Sequence, residues 1–154
     1  MVPGGVAIPE RHSRRDDEHL RLLAKQDAGS RFFVTQVAYD VNAAKNLVSD
    51  YYYACAARET APAPVVFTLS VCGSMRTLEF LRWRPALDRE QPQACDRHAG
   101  GVLPVSLAAA TDLIAYCRSL GVPFGINVES VSIRRVEIEM AVRLTEQLGA
   151  ELRK

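Results

Sequence analysis

Short apolar runs alternate along this chain with longer amphipathic stretches. Four runs are apolar, β-branched or aromatic without a helical period, and they cover residues 5–8, 31–36, 65–71 and 122–128. Runs this short, separated by helical patterns, are typical of βα units. The pattern therefore predicts an α/β protein with four parallel strands and five helices.

Two helices are predicted in the first half of the chain. The first follows a polar loop over residues 10–15 and ends near Gly29, because a residue just past a helix end often takes the left-handed conformation. Its apolar face is predicted to contain Leu20, Leu23 and Ala24. Asp40 is placed to cap the second helix, which runs to about Ala57. The buried face of this second helix is predicted to contain Val41, Ala44, Leu47, Val48, Tyr51, Tyr52 and Cys55.

Three helices are predicted in the second half. A short one follows Ser74 and contains Phe80, and a longer one covers residues 106–120 and ends at Gly121. Ser132 is placed to cap the last helix. Its apolar positions recur every four residues and are Val136, Met140, Leu144 and Leu148.

An irregular segment over residues 84–104 interrupts this pattern. Between Arg84 and Gly101 it contains two prolines and the pair Gly100-Gly101, and its residues there follow neither the helical nor the strand period. A structureless insert of this length is unusual inside a compact domain. Two interpretations stay open, which are a shifted reading frame and a mobile surface loop.

Composition is typical of one soluble domain, here taken as residues 1–154. Hydrophobic residues make up 48% of the chain and charged residues 24%, close to globular averages. The 19 basic and 18 acidic residues are interspersed, so neither nucleic acid nor an anionic membrane is a predicted partner. The chain contains no apolar run long enough for a membrane span and no signal-peptide core at its start, so a cytoplasmic location is expected.

The four cysteines form no C-x-x-C pair. Their spacing disfavours a zinc site and gives no disulfide framework, so they are predicted to be reduced thiols in or near the core. No metal ligand is predicted anywhere in the chain.

Three segments carry a resemblance to a known family. They are Pro9–His12, Lys25–Gly29 and Thr35–Gln36. They resemble the second half of the methylenetetrahydrofolate reductase barrel, where a strand ends in Pro-Glu-x-His, a helix in Lys-x-Asp-Ala-Gly and a strand in Thr-Gln. A complete (β/α)8 barrel needs about 250 residues, and this chain has 154. The resemblance therefore implies a partial TIM barrel of about four βα units, corresponding to strands 5 to 8.

The resemblance also implies an activity in one-carbon and methionine metabolism. The reaction is reduction of 5,10-methylenetetrahydrofolate to 5-methyltetrahydrofolate with NAD(P)H, ordinarily through FAD. By the same resemblance, Gln36 and Phe80 would contact the folate, while His12, Glu18 and Lys25 would contact the flavin. Read without the family, Gln36 would bond only loop backbone, His12 would be a solvated loop residue, Lys25 a charge on an exposed helix face and Phe80 a core residue.

Two departures from the family pattern point to a divergent branch, in which nicotinamide could act without flavin. Ile8 replaces the aromatic residue expected before Pro-Glu, and Ala24 replaces a basic residue before Lys25. No residue is assigned as the general acid, because the family carries it on the missing strands. The alternative function is a non-catalytic half-barrel that pairs with itself or with a complementary half, since a half barrel leaves strand edges unpaired.

Overall fold

A computed structural model describes residues 1–71, 102–130 and 133–153 of the chain. The strands are β1 (Gly4–Ala7), β2 (Phe32–Val37), β3 (Val65–Ser70) and β4 (Phe124–Glu129). The described helices are α1 (Pro9–Arg15), α2 (Glu18–Asp27), α3 (Val41–Ala57), α4 (Val102–Leu120) and α5 (Arg135–Leu152). The prediction of an α/β protein is confirmed. The short helix predicted after Ser74 and most of the irregular segment lie outside the described residues.

The four strands form one parallel sheet in the order β1-β2-β3-β4. In β1 and β2, Gly4 pairs with Phe32 and Ala7 pairs with Thr35. The pairing of β2 with β3 shifts register between Val34 and Val37. Each connection joins a strand to its immediate neighbour in the sheet. Because the strands are parallel, the carboxyl ends of all four lie at one edge of the sheet.

The prediction of a partial TIM barrel is wrong. The described strands form a small open α/β sheet in which β1 and β4 are the two edge strands. A barrel requires its first and last strands to pair, and strand tilt and stagger that produce closure. Alternating βα units have the same hydrophobic pattern in an open sheet and in a barrel, so only the family resemblance had pointed to a barrel.

The chain is divided into two compact units. The first contains Met1–Thr68 and Leu113–Asn127, and the second contains Leu69–Asp112 and Val128–Lys154. In the first unit, the rings of Phe33 and Tyr51 pack edge to face with centroids 5.8 Å apart. In the second unit, the buried face of α5 consists of Glu137, Met140, Ala141, Leu144 and Leu148. The prediction of a single domain stays a prediction.

Residues 10–15 form a helix rather than the predicted polar loop. Pro9 occupies the first turn of α1, where its fixed φ favours a helix and its missing N–H removes no hydrogen bond. Asp16 takes a left-handed conformation with φ 53° and ends α1. In α2 the buried apolar residues are Leu22 and Leu23, while Leu20 and Ala24 are exposed. Of the three residues predicted to form the buried apolar face of this helix, only Leu23 is therefore buried.

Three helix boundaries agree with the sequence. Asp40 caps α3, and its side chain accepts hydrogen bonds from the backbone N–H groups of Asn42 and Ala43 at 2.8 and 3.2 Å. Gly29 and Gly121 have φ angles of +104° and +74° just after α2 and α4, the conformation that favours glycine at a helix end.

Among the helices of the described ranges, none combines the length and hydropathy that crossing a bilayer requires.

Candidate functional site

The carboxyl edge of the sheet presents Gln36 to solvent. Side chains alternate along a strand, and in β2 this places Thr35 in the interior and Gln36 outside. The Thr35 hydroxyl accepts a hydrogen bond from the backbone N–H of Thr68 at 2.9 Å, which fixes the end of β2 against β3. The side-chain amide of Gln36 makes no hydrogen bond with the described part of the chain. As far as the described residues go, its donor and its acceptor are open to a ligand.

Glu10 lies at the same edge, just after β1, and it is buried. Its Oε1 accepts a hydrogen bond from the backbone N–H of Tyr39 at 3.1 Å, which connects the start of α1 with the segment after β2. Burial raises the pKa of this carboxyl group, and the nearby charge of Asp40 raises it further, against the lowering effect of backbone hydrogen bonds. Glu10 is part of the Pro-Glu motif, so the signal that could have identified it was present in the sequence.

His12 is buried on α1, with 2% of its surface exposed. Its Nε2 lies 2.9 Å from Oδ2 of Asp50 on α3 and 3.5 Å from Oδ1 of Asp16. The His12 ring also meets the His19 ring edge to face, with centroids 5.2 Å apart. The solvated loop histidine considered from the sequence therefore does not match this side chain, which sits between three helices.

Glu18 and Lys25 both connect α2 to the end of β1. Glu18 is fully buried, and its carboxylate accepts from the backbone N–H of Ile8 at 3.2 Å and from the Arg11 guanidinium at 3.1 Å. The ammonium group of Lys25 donates to the backbone carbonyl of Val6 at 2.5 Å. Both side chains are thus engaged in holding the βαα unit together.

The structure brings the predicted cofactor residues into one region, but each is bonded within the chain. A flavin would need the acceptors of Glu18 for its ribose, the ammonium of Lys25 for its phosphates and an accessible face of His12. These groups bind Arg11, the Val6 carbonyl and Asp50 instead. The arrangement does not offer a prepared contact set for FAD. Phe80 lies outside the described residues.

Cys55 and Cys117 are buried free thiols. Burial raises the pKa of both, that of Cys117 to about 12. A thiol that stays protonated at neutral pH is a poor nucleophile, which fits the prediction of reduced structural cysteines at these two positions. Cys72 and Cys95 lie outside the described residues.

The chain is similar to a solved structure of an uncharacterized protein from Clostridium thermocellum that binds two copies of 5-methyl-5,6,7,8-tetrahydrofolic acid. The two are 38% identical with a TM-score of 0.85, over 97% of this chain and 54% of that protein. The chain therefore spans about half the length of this neighbour. A scan of protein-family models gives no match, and comparison with curated proteins gives none either. The similarity is to a protein that binds a folate, which agrees with the folate part of the sequence resemblance. It provides no evidence of reductase activity.

Proposed function

We propose that this chain binds a reduced folate of the 5-methyltetrahydrofolate kind at the carboxyl edge of its sheet. The observation that carries the proposal is the 38% identity, over 97% of the chain, to a protein that binds this compound. Ligands of open α/β sheets generally bind outside the carboxyl ends of the strands. Gln36 lies at that edge with its amide unpaired within the described residues.

Gln36 is the proposed recognition residue for the pterin ring. The ring has an edge of alternating hydrogen-bond donors and acceptors, and a single side-chain amide offers one of each. The buried hydrogen bond between Thr35 and Thr68 holds the strand end in place, so little ordering of the backbone is needed when the ligand binds.

Isothermal titration calorimetry with 5-methyltetrahydrofolate tests this proposal. Replacing a neutral hydrogen-bonding group that meets a ligand costs about 0.5–1.5 kcal/mol, so Gln36→Ala is expected to weaken binding by roughly three- to tenfold. Gln147→Ala, at an exposed position on α5, is the matched control and should bind like the wild type. Equal affinities for Gln36→Ala and wild type would remove Gln36 from the site. No binding by the wild-type chain would contradict the proposal itself.

A finer proposal is reduction of 5,10-methylenetetrahydrofolate to 5-methyltetrahydrofolate. A hydride from NAD(P)H would reduce the methylene carbon, and one proton would complete the conversion to the methyl product and NAD(P)+. Glu10 supports this candidate because burial raises its pKa, the direction in which enzymes shift carboxyl groups that act as general acids. Direct transfer from nicotinamide is the proposed route, since His12, Glu18 and Lys25 are engaged within the chain.

An assay of NADH and NADPH oxidation, with and without added FAD, tests the finer proposal. Oxidation that depends on methylenetetrahydrofolate is expected. Glu10→Gln should lower its rate by about 10²- to 10⁴-fold, the usual contribution of a general acid, while the exposed Glu146→Gln should leave it unchanged. Folate binding without turnover would instead favour the alternative, a non-catalytic half that acts with a partner chain or a second copy. A requirement for FAD would contradict the direct route.

A further inference from the structure

Three helices of the first unit bring two imidazoles and a carboxylate to one point. His12 is on α1, His19 on α2 and Asp50 on α3. One ligand-type atom from each lies within 4.8 Å of the others. The closest approach is 2.9 Å, between Nε2 of His12 and Oδ2 of Asp50. This is the group in the described residues where side chains that commonly bind metal ions converge.

Two ring nitrogens in this cluster have no hydrogen-bond partner among the residues that the structure describes. They are the Nδ1 atoms of His12 and His19, and both are buried. A neutral imidazole has its proton on one ring nitrogen and a lone pair on the other, so His12 with its proton on Nδ1 has its lone pair on Nε2, the nitrogen that faces Asp50. Buried polar atoms are nearly always satisfied. The unpartnered Nδ1 of His19 and Nε2 of the 98% buried His12 beside Asp50 therefore point to an ion that accepts lone pairs between the three side chains.

We propose that His12, His19 and Asp50 bind one divalent transition-metal ion, with zinc as the best match. Two imidazole nitrogens and a carboxylate oxygen are donors that zinc takes readily, whereas calcium and magnesium prefer oxygen donors alone. Zinc with three protein ligands has room for a fourth, commonly water. Asp16 is a further carboxylate beside the cluster, with its Oδ1 3.5 Å from Nε2 of His12.

Small side-chain rotations would complete the coordination. Metal–ligand distances of about 2.0–2.2 Å place neighbouring ligand atoms about 3.3 Å apart in a tetrahedron. The atoms of the cluster lie up to 4.8 Å apart. Asp50 has 46% of its side chain exposed and His19 is partly exposed, so both have freedom to move toward a bound ion. Their exposure also gives the ion a path from solvent.

A bound ion would link three helices that are separated in sequence. The expected effect is on stability, because a metal that binds only the folded arrangement of its ligands stabilises that arrangement. The proposed metal ligands lie on α1, α2 and α3, whereas the recognition residue of the proposed folate site lies on β2. Metal binding and folate binding are therefore measured separately.

The test is titration of the metal-free 154-residue chain with Zn²⁺ and Co²⁺ under reducing conditions. One equivalent of either ion is expected to bind, and Zn²⁺ should raise the midpoint of thermal unfolding. The Co²⁺ spectrum should show ligand-field bands without the strong charge-transfer band of a thiolate ligand. His19→Gln and Asp50→Asn should each weaken metal binding by at least about tenfold. Even the loss of a residue that only supports a metal ligand typically lowers affinity by about this factor.

Asp112→Asn, at an exposed position on α4, is the matched control and should bind the metal like the wild type. Circular dichroism of each metal-free variant establishes that it is folded before its affinity is compared. A thiolate band would assign the metal to the cysteines, and affinities unchanged in both His19→Gln and Asp50→Asn would place the metal outside this cluster. Either result would overturn the proposal. Absence of any Zn²⁺ effect on the wild type would also overturn it and leave His12 and Asp50 as a hydrogen-bonded pair.

Discussion

Glu10 is the residue whose charge state is expected to couple most clearly to folding. Burial raises its pKa above the ordinary value of 4.5. Between pH 4.5 and the raised pKa, the folded protein retains a proton that the unfolded chain releases. The free energy of unfolding contributed by Glu10 is therefore complete below pH 4.5 and falls as the pH rises through the folded-state pKa. Glu10→Gln cannot ionise at this position, so this decrease in stability is absent from the variant. The amide oxygen of the glutamine can still accept the hydrogen bond from the backbone N–H of Tyr39.

Urea unfolding at a series of pH values from 4 to 8 measures this difference. The free energy of unfolding of Glu10→Gln, relative to wild type, should increase from about pH 4.5, where Glu10 ionises in the unfolded chain, and level off once Glu10 ionises in the folded protein. Glu146→Gln, whose side chain is exposed, should show no such trend. A relative stability that stays constant or declines with pH would mean that Glu10 is ionised without penalty in the folded state.

Sequence reasoning at the residue scale identified several side chains that the structure places together, but their partners could not be predicted. His12, Glu18 and Lys25 were selected through the family resemblance, and their proposed flavin roles stay predictions. Their bonds to Asp50, Ile8 and Val6 depend on how α1, α2 and α3 pack on β1. His19 and Asp50 gave no signal in the sequence, because their proximity to His12 arises only after three helices meet.

The cap of α3 is the element boundary with the clearest energetic consequence. Asp40 accepts hydrogen bonds from Asn42 and Ala43 in the first turn, and its negative charge lies at the positive end of the helix dipole. Asp40→Ala is expected to lower the free energy of unfolding by about 1 kcal/mol, within the usual range of 0.5–2 kcal/mol. Urea denaturation at neutral pH measures the change.

Asp40→Asn separates the cap from other effects of this position. Asparagine is about as good an N-cap as aspartate, so this variant should retain most of the stability that Asp40→Ala loses. If the two variants were equally destabilised, the charge of Asp40 rather than its hydrogen bonds would account for the effect. If neither changed stability, the capping interaction would contribute nothing to folding.

Elements with strong local signals were predicted well. The α3 prediction from Asp40 to Ala57 is confirmed, and so are the helix ends before Gly29 and Gly121. Each depends on a cap, a stop and an apolar period that act within a few residues. Errors occur where one of these was missing. The segment 10–15 has no apolar period, so its helix was not recognised, and Val136 of α5 is exposed although it fits the four-residue repeat.

Whole-molecule architecture was the least predictable level. The parallel order of four strands follows from βα alternation, but whether such a sheet closes depends on strands and contacts beyond any local pattern. The inference of a barrel came from the family resemblance and is contradicted by the open sheet. The folate part of that resemblance is supported by the Clostridium thermocellum protein, of which this chain covers 54%.

Ligand-dependent thermal unfolding is the measurement that joins the fold to the proposed function. A ligand that binds only the native state adds about 2.7 kcal/mol of stability at a hundredfold excess over its Kd. For a chain of this size, 1 kcal/mol corresponds to roughly 2–4 °C, so saturating 5-methyltetrahydrofolate should raise the midpoint by about 5–10 °C. Gln36→Ala should show a smaller rise at the same folate concentration, because its Kd is higher.

The p-aminobenzoylglutamate portion of folate provides the decisive control, because it retains the charged tail and lacks the pterin ring. If the exposed amide of Gln36 recognises the pterin, this fragment should leave the midpoint nearly unchanged at a concentration where the intact folate shifts it. An equal shift from the fragment would place recognition on the tail and contradict the role of Gln36. No shift from either compound, in a chain that unfolds cooperatively, would show that the half of the neighbour represented here folds but does not bind folate alone.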